Sequence, residues 1–296
     1  MFISWVLGLA ARRALFFAVF LASLALFSGC AGRNYGDDLF HLRRAAHGKD
    51  VMWIPSKVET AHAMLNAANV SAQDIVIDLG SGDGVIPIEA ARQFAVRALG
   101  IEYNPDLVAL SKRNAVRAGV EQLVSFKQGD IFLEDFSEAT VLTLYLGESL
   151  NARLMPKILS MRPGTRVVSN SFRMDSWAPD REIRLPNGDT AYIWVVPAII
   201  DGFWNLSGSP PFQDARLFVR QKKQFFDGYI DQQSKRRLSI EEGKIEGSVI
   251  RFRLVDQQGR SSVFSGSIAS GQVAGKITGA VDSLVLARRV GHDALQ

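Results

Sequence analysis

Three carboxylates set the chemical question. Asp78 lies in the apolar run Ile75–Leu79, two residues before the turn Gly80-Ser81-Gly82-Asp83-Gly84. Glu102 ends the next apolar run, 20 residues beyond Gly82, and Asp130 follows the third, in Gly129-Asp130-Ile131. A glycine turn between an apolar run and a helix-like run lets the backbone approach a ligand, and free N–H groups at the helix start are expected to face it. The acids decide which ligand. Asp78 would repel a pyrophosphate and attract a cationic amine. Glu102 stands where an acidic side chain meets ribose hydroxyls. Asp130 stands within reach of an adenine amino group. An amine, a ribose and an adenine without phosphates describe S-adenosylmethionine (SAM). The expected cofactor-binding residues are Asp78, Gly80, Ser81, Gly82, Asp83, Gly84, Glu102, Tyr103, Asp130 and Ile131.

The elements that must hold these residues alternate. Apolar runs at Ile75–Leu79, Ala95–Ile101, Leu123–Phe126, Thr140–Leu146 and Arg166–Ser169 read as buried strands. Between them Val85–Gln93, Pro105–Ala118 and Ser149–Met161 read as helices, the last with a kink at Pro156. Such alternation predicts a parallel, doubly wound sheet. Arg181–Leu185 and Thr190–Val196, joined by Pro186-Asn-Gly-Asp189, read as an antiparallel hairpin that completes seven strands. Upstream, Ser56 with Glu59 predicts a capping box opening a helix to about Asn69.

After Pro197 the helical period disappears. Eight short β-like runs follow, Gly243–Leu254 read as one of them, and Ile250, Phe252 and Leu254 alternate with Arg251 and Arg253. A small all-β meander, either a barrel or a curved sheet, is expected. The domain reading is therefore 1–30 export-like or anchoring segment, 31–50 linker, 51–198 Rossmann-like α/β domain, and 199–296 β domain.

Of 296 residues, 47% are hydrophobic and 22% charged, ordinary values for a globular chain with a sizeable core. The net charge of +4 forms no concentrated basic patch, so no nucleic-acid partner is expected. The four histidines lack metal-ligand spacing, and the only cysteine, Cys30, cannot build a disulfide or a cysteine metal site within one chain. Arg12 and Arg13 precede an uncharged apolar run, Ala14 to Gly29. As a helix it would span about 24 Å, short of the roughly 30 Å hydrocarbon core. The pattern fits a signal peptide, and Leu26-Phe-Ser-Gly-Cys30 resembles a bacterial lipobox with Cys30 as the lipidated residue. An uncleaved anchor extended by Met1 to Ala11 is the alternative. Either way the expected localisation is at a membrane through this segment.

Asp78 to Gly84, Glu102, Asp130 and the terminal hairpin together resemble a class I SAM-dependent methyltransferase domain over about Val51 to Pro197. "WIPSKVETAHAML", "DLGSGDG" and "TLYLGESLNARLMPKILSMRPGTRVVSNSF" are similar to the mitochondrial protein-lysine methyltransferases that act on the ATP synthase c-ring protein and on adenine nucleotide translocase. Bacterial relatives with a Trp-x-Pro-Asp element, here Trp177 to Asp180, are more similar still. Gly147-Glu148 stands where those relatives have Leu-Pro. The resemblance implies SAM as cofactor and a protein, including a membrane protein, as methyl acceptor.

The chain lacks an Asn/Asp-Pro-Pro-aromatic element, a cysteine nucleophile in the domain, and a metal cluster. An amine acceptor remains, most simply a protein lysine. The expected acceptor lining is Tyr145, Glu148 and Asn151, with Trp53 from the preceding segment. A small-molecule methyltransferase and a catalytically silent envelope binding protein are the competing readings.

Overall fold

The computed structural model describes residues 52–208, 212–232, 236–280 and 282–290. The signal or lipoprotein reading, the anchor reading, Cys30 and the linker at 31–50 all lie outside the described residues.

Four helices and seven strands make the first layer system. In chain order they are α1 (Val58–Ala67), β1 (Ile75–Leu79), α2 (Val85–Phe94), β2 (Arg97–Glu102), α3 (Pro105–Ala118), β3 (Val124–Gln128), β4 (Val141–Leu144), α4 (Glu148–Leu159), β5 (Arg166–Asn170), β6 (Arg181–Arg184) and β7 (Thr190–Val195). The spatial order is β3-β2-β1-β4-β5-β7-β6. Strands β1 to β5 run parallel, and β7 returns antiparallel against β5. The order reverses between β1 and β4, so a crevice opens at their carboxyl ends, the usual ligand position in open α/β sheets.

Local chemistry explains the boundaries. Asn104 accepts the N–H of Asp106 and Pro105 opens α3, while Gly119 at φ 68° closes it. Asp83 accepts the N–H of Val85 at the start of α2. The expected capping box does not form: α1 begins at Val58, its preceding residue is Lys57, and no side chain caps it. Ser56 instead faces the crevice described below. Pro156 is accommodated inside α4. The two faces of the sheet are covered separately, α1 to α3 packing over Val76, Ala98 and Val124, and α4 packing over Ile77, Leu142 and Val167.

Eight further strands follow: β8 (Gly202–Gly208), β9 (Arg216–Lys222), β10 (Phe225–Asp231), β11 (Arg237–Glu246), β12 (Val249–Val255), β13 (Ser261–Ala269), β14 (Gln272–Gly279) and β15 (Ser283–Arg289). They close into a barrel by pairing β15 with β8. Of the two shapes expected, the closed barrel is the one formed. The run Gly243–Leu254 is not one strand. Glu241 to Lys244 is a bulge within β11, and the break falls at Gly247. A bulge and a two-residue turn carry similar glycine signals, which is why the sequence pattern misplaced the break.

The barrel is a packed core, with Ile250, Phe252 and Leu254 inside and Arg251 outside. Phe264 stacks on Phe252 at 4.6 Å and its ring crosses the opposed pair Gly266 and Gly275. The barrel meets the sheet at the amino end of β5. Ala198 N–H donates to Gly247 O at 2.8 Å, Gln224 Nε2 donates to Ala178 O at 2.6 Å, and Lys244 Nζ sits 3.0 Å from Asp180. Among the described residues, none of the barrel lines the crevice at the carboxyl edge of the sheet.

Candidate cofactor and acceptor site

The glycine turn spends its own donors. Gly80 and Ser81 N–H both donate to Ile101 O, at 2.8 and 3.1 Å, and Gly84 N–H donates to Ser81 O at 2.8 Å. Gly82 N–H donates to Glu102 Oε2 at 2.9 Å, and Val85 N–H goes to the Asp83 carboxylate. Of the N–H groups expected from the sequence to face a ligand, those of Gly80, Ser81, Gly82, Gly84 and Val85 are engaged within the protein. A phosphate would find the N–H groups of Gly80, Ser81, Gly82 and Gly84 already engaged, and the neighbouring acids would repel it.

Gly82 sits at φ 54°, and a Cβ there would lie 2.4 Å from Trp53 Nε1. The turn thus brings the segment before α1 over the glycines, with Met52, Trp53, Ile54 and Ser56 closing one side of the crevice. Gly84 has a packing role, since its Cβ would strike Phe126 and Ser111, and it does not line the crevice.

Asp78, Asp83, Glu102 and Asp130 all line this one cavity, and among the described residues no Lys, Arg or His side chain does. Asp78 is 3% exposed and accepts one hydrogen bond among the described residues, from Thr143 Oγ1 at 2.6 Å. Burial lifts its pKa to about 7; Thr143 pulls it back, and the charges of Glu102 and Asp83 push it further up. Burial likewise raises Asp83, against the hydrogen bonds it accepts. Glu102 is fixed by two backbone donors, Gly82 N–H and, at 2.8 Å, Asn104 N–H. Asp130 Oδ1 accepts Phe132 N–H at 3.0 Å and holds Ile131 in the wall. Tyr103, half exposed, and Leu107 complete that end. Acids at the carboxyl ends of three adjacent strands, with four N–H groups of the turn already bonded, fit a cationic, phosphate-free adenosyl ligand.

The acceptor residues expected from the sequence divide. Tyr145 lines the cavity and stacks on Phe172, ring centroids 5.9 Å apart. Its phenol pKa is raised, first by burial and then by the charge of Asp189. Trp53 lines the cavity against Gly82 of the glycine turn. Glu148 is exposed in the first turn of α4, and does not line the cavity. Asn151 is fully buried and cannot touch an acceptor; its Nδ2 donates to Ser169 Oγ at 3.0 Å and to the carbonyls of Phe172 and Arg173 at 3.2 and 3.4 Å. Its i+4 position relative to Gly147, whose carbonyl accepts its N–H at 3.1 Å, turns it inward under the loop after β5. Sequence reasoning missed Thr143 and Phe172. Thr143 had a signal: it is the polar residue in the otherwise apolar β4, Val-Leu-Thr-Leu.

Residues 78–181 match the model of the ANTKMT methyltransferase domain. A protein-lysine N-methyltransferase of the archaeon Saccharolobus islandicus is 39% identical over 151 residues, 49% of this chain and 94% of that protein. An adenine nucleotide translocase lysine N-methyltransferase of Mus musculus is 37% identical over 106 residues, 35% of this chain and 46% of that protein. A solved RNA methyltransferase of Salinibacter ruber, in complex with S-adenosylhomocysteine, is 49% identical over 50% of this chain and 96% of that one, with a TM-score of 0.48. The chain is a SAM-dependent methyltransferase and belongs to the family defined by the ANTKMT methyltransferase domain.

Proposed function

We propose that the protein methylates the side-chain amine of lysine in a protein substrate. One observation carries this reading: the acceptor-side wall is an aromatic pair, Tyr145 on Phe172, next to an acidic cavity that no described cationic side chain lines. Such a rim attracts an ammonium group and repels a polyphosphate backbone, so RNA is disfavoured as acceptor. The Saccharolobus and Mus relatives are lysine N-methyltransferases, which agrees with that electrostatics.

When bound, SAM supplies an electrophilic methyl on a sulfonium. Asp78 would hold its amine, Glu102 its ribose hydroxyls, and Asp130 with Ile131 and Tyr103 its adenine. The acceptor nitrogen must arrive neutral, and removing a lysine proton near neutral pH costs about 4 kcal/mol. Tyr145 and Phe172 lower that cost by excluding water, which disfavours the charged amine. Tyr145 and Phe172 would hold the neutral nitrogen, its proton already lost to water, with its lone pair toward the methyl that SAM would supply. Catalysis is positioning, which needs no dedicated base. The apolar run Ala14–Gly29 favours a substrate at the membrane.

Labelled SAM incubated with the protein and a membrane fraction tests the reading. Label in protein, released on acid hydrolysis as methyl-lysine, supports it. Label in nuclease-sensitive or small-molecule material overturns it. Absence of SAM binding by calorimetry overturns any methyltransferase activity for this chain.

A further inference from the structure

Behind Tyr145 the chain is held in an unfavourable shape. Phe172 N–H donates to Asn170 O at 2.8 Å while Ser171, between them, sits at φ 64°. This is a γ-turn in its rare positive-φ form, which is strained for a residue with a side chain. Three anchors hold it. Asn151 Nδ2 donates one hydrogen to Ser169 Oγ at 3.0 Å and shares the other between the carbonyls of Phe172 and Arg173, at 3.2 and 3.4 Å, while its Oδ1 stays buried without a partner. Ser171 N–H donates to Thr190 O at 2.8 Å, tying the loop to the start of β7. Asn170 Nδ2 reaches Asp189 Oδ2 at 3.5 Å, tying it to the β6–β7 turn. Because β7 runs antiparallel to β5, that turn lies at the carboxyl edge of the sheet, on the same side as the cavity.

The result is a short wall with graded chemistry. Tyr145 belongs to the cavity and to the stack with Phe172 at once. Asp189, whose Oδ2 accepts from Asn187 Nδ2 at 2.7 Å and from Asn170 Nδ2 at 3.5 Å, supplies a half-buried carboxylate at the same edge of the sheet. The nearby Arg173 is occupied elsewhere, 2.8 Å from Glu182 and over the Tyr192 ring. Arg184 of the same hairpin reaches Thr190 Oγ1 at 3.5 Å, so the Asp189 carboxylate shares this edge with one cation.

We infer that this wall is the lysine-recognition element of the enzyme: Asp189 receives the ammonium, Phe172 and Tyr145 flank the methylene chain, and Asn151 is the positioning residue that holds Phe172 in place. The inference rests on the lysine reading above and goes beyond it by naming the residues. A lysine passes from a carboxylate at the rim to a dry aromatic slot, so it is bound as a cation and reacts as an amine. Asp189 does not need to take the proton, which can leave to solvent at the rim.

Poly-L-lysine with labelled SAM, measured with the full-length protein, tests it. Asp189→Asn should raise the KM for poly-lysine about tenfold or more, with kcat and the SAM Kd nearly unchanged. The salt dependence of KM should weaken in the same variant. Phe172→Leu, which keeps apolar bulk, should lower kcat at least several-fold at unchanged SAM Kd. Asn151→Leu should mimic Phe172→Leu. An unchanged KM in Asp189→Asn, with wild type labelling poly-lysine, overturns the wall and leaves the lysine reading standing. Parallel loss of SAM binding in all three variants also overturns it, because the residues would then be structural. Wild type that binds SAM yet leaves poly-lysine unlabelled counts against both.

Discussion

Asp78 and Thr143 are register partners across the β1–β4 pair, and the Thr143 hydroxyl donates to Asp78 Oδ1 at 2.6 Å. They sit at the point where the strand order reverses, so a buried acid is placed where the crevice opens. That acid is destabilising until a cation arrives.

The first prediction follows from its pKa of about 7, lifted mainly by burial. The folded state then holds this proton over a range where the unfolded chain has released it. Stability of the unliganded protein should fall as pH rises from about 4 to about 7, and level off above. The displacement is worth at most roughly 4 kcal/mol. Asp78→Asn should flatten the slope and raise unliganded stability at pH 8, while weakening SAM binding about tenfold or more. Urea unfolding at pH 5 and pH 8, with calorimetry, checks both; a variant that keeps the wild-type slope would refute the assignment.

Glu102 gives the second. Its two oxygens accept Gly82 and Asn104 N–H, so it shapes the turn as well as facing the ligand. Glu102→Gln turns one acceptor into a donor opposite a backbone N–H. Hydrogen bonds to a charged group are each worth about 1.5–3 kcal/mol. The Kd for S-adenosylhomocysteine should rise about 10- to 100-fold, and a change under twofold in titration calorimetry would contradict this.

The sheet and the three acids were legible because burial writes apolar runs, and because a carboxylate beside a glycine turn has few structural uses. Strand β1 and helix α3 were read with their observed limits. The partners of those acids were not legible. Thr143 meets Asp78 only through a parallel pairing 65 residues away in sequence. Nor could spacing show that the turn's own N–H groups would be consumed by Ile101 and Glu102. Asn151 misled for a related reason. A polar residue early in a helix after a cofactor strand suggests an acceptor contact, yet the helical turn from Gly147 points it into the protein, where it holds Phe172. Ser56 and Glu59 misled locally, since tertiary contact of Ser56 with the crevice overrode the capping pattern.

The third prediction concerns Gly82 and Trp53. A Cβ at Gly82 would lie 2.4 and 2.8 Å from the indole, at a φ of 54°. Gly82→Ala should cost about 1–2 kcal/mol for the left-handed conformation, plus displacement of Trp53 from the crevice. With Trp53→Ala already present, only the backbone part remains. The two effects should therefore be less than additive by about 1 kcal/mol or more. A double-mutant cycle by urea unfolding reads this, and simple additivity would show that the indole moves aside at no cost.

The fourth separates the barrel from the chemistry. Asp180 is 1% exposed at its side chain, accepts Val195 N–H at 2.9 Å, and faces Lys244 of β11 at 3.0 Å. Lys244 is itself 39% exposed, so water screens its charge and the pair adds little by Coulomb attraction alone. Removing the lysine nevertheless leaves a buried carboxylate short of its counter-charge, which costs about 1–3 kcal/mol. Lys244→Ala should lower the unfolding midpoint accordingly. No described barrel residue lines the cofactor cavity, so the SAM Kd of the folded variant should match wild type within about twofold. Weaker SAM binding at unchanged stability would mean that docking of the barrel sets the geometry of the crevice after all, through Asp180, β7 and the β5 loop that carries Phe172.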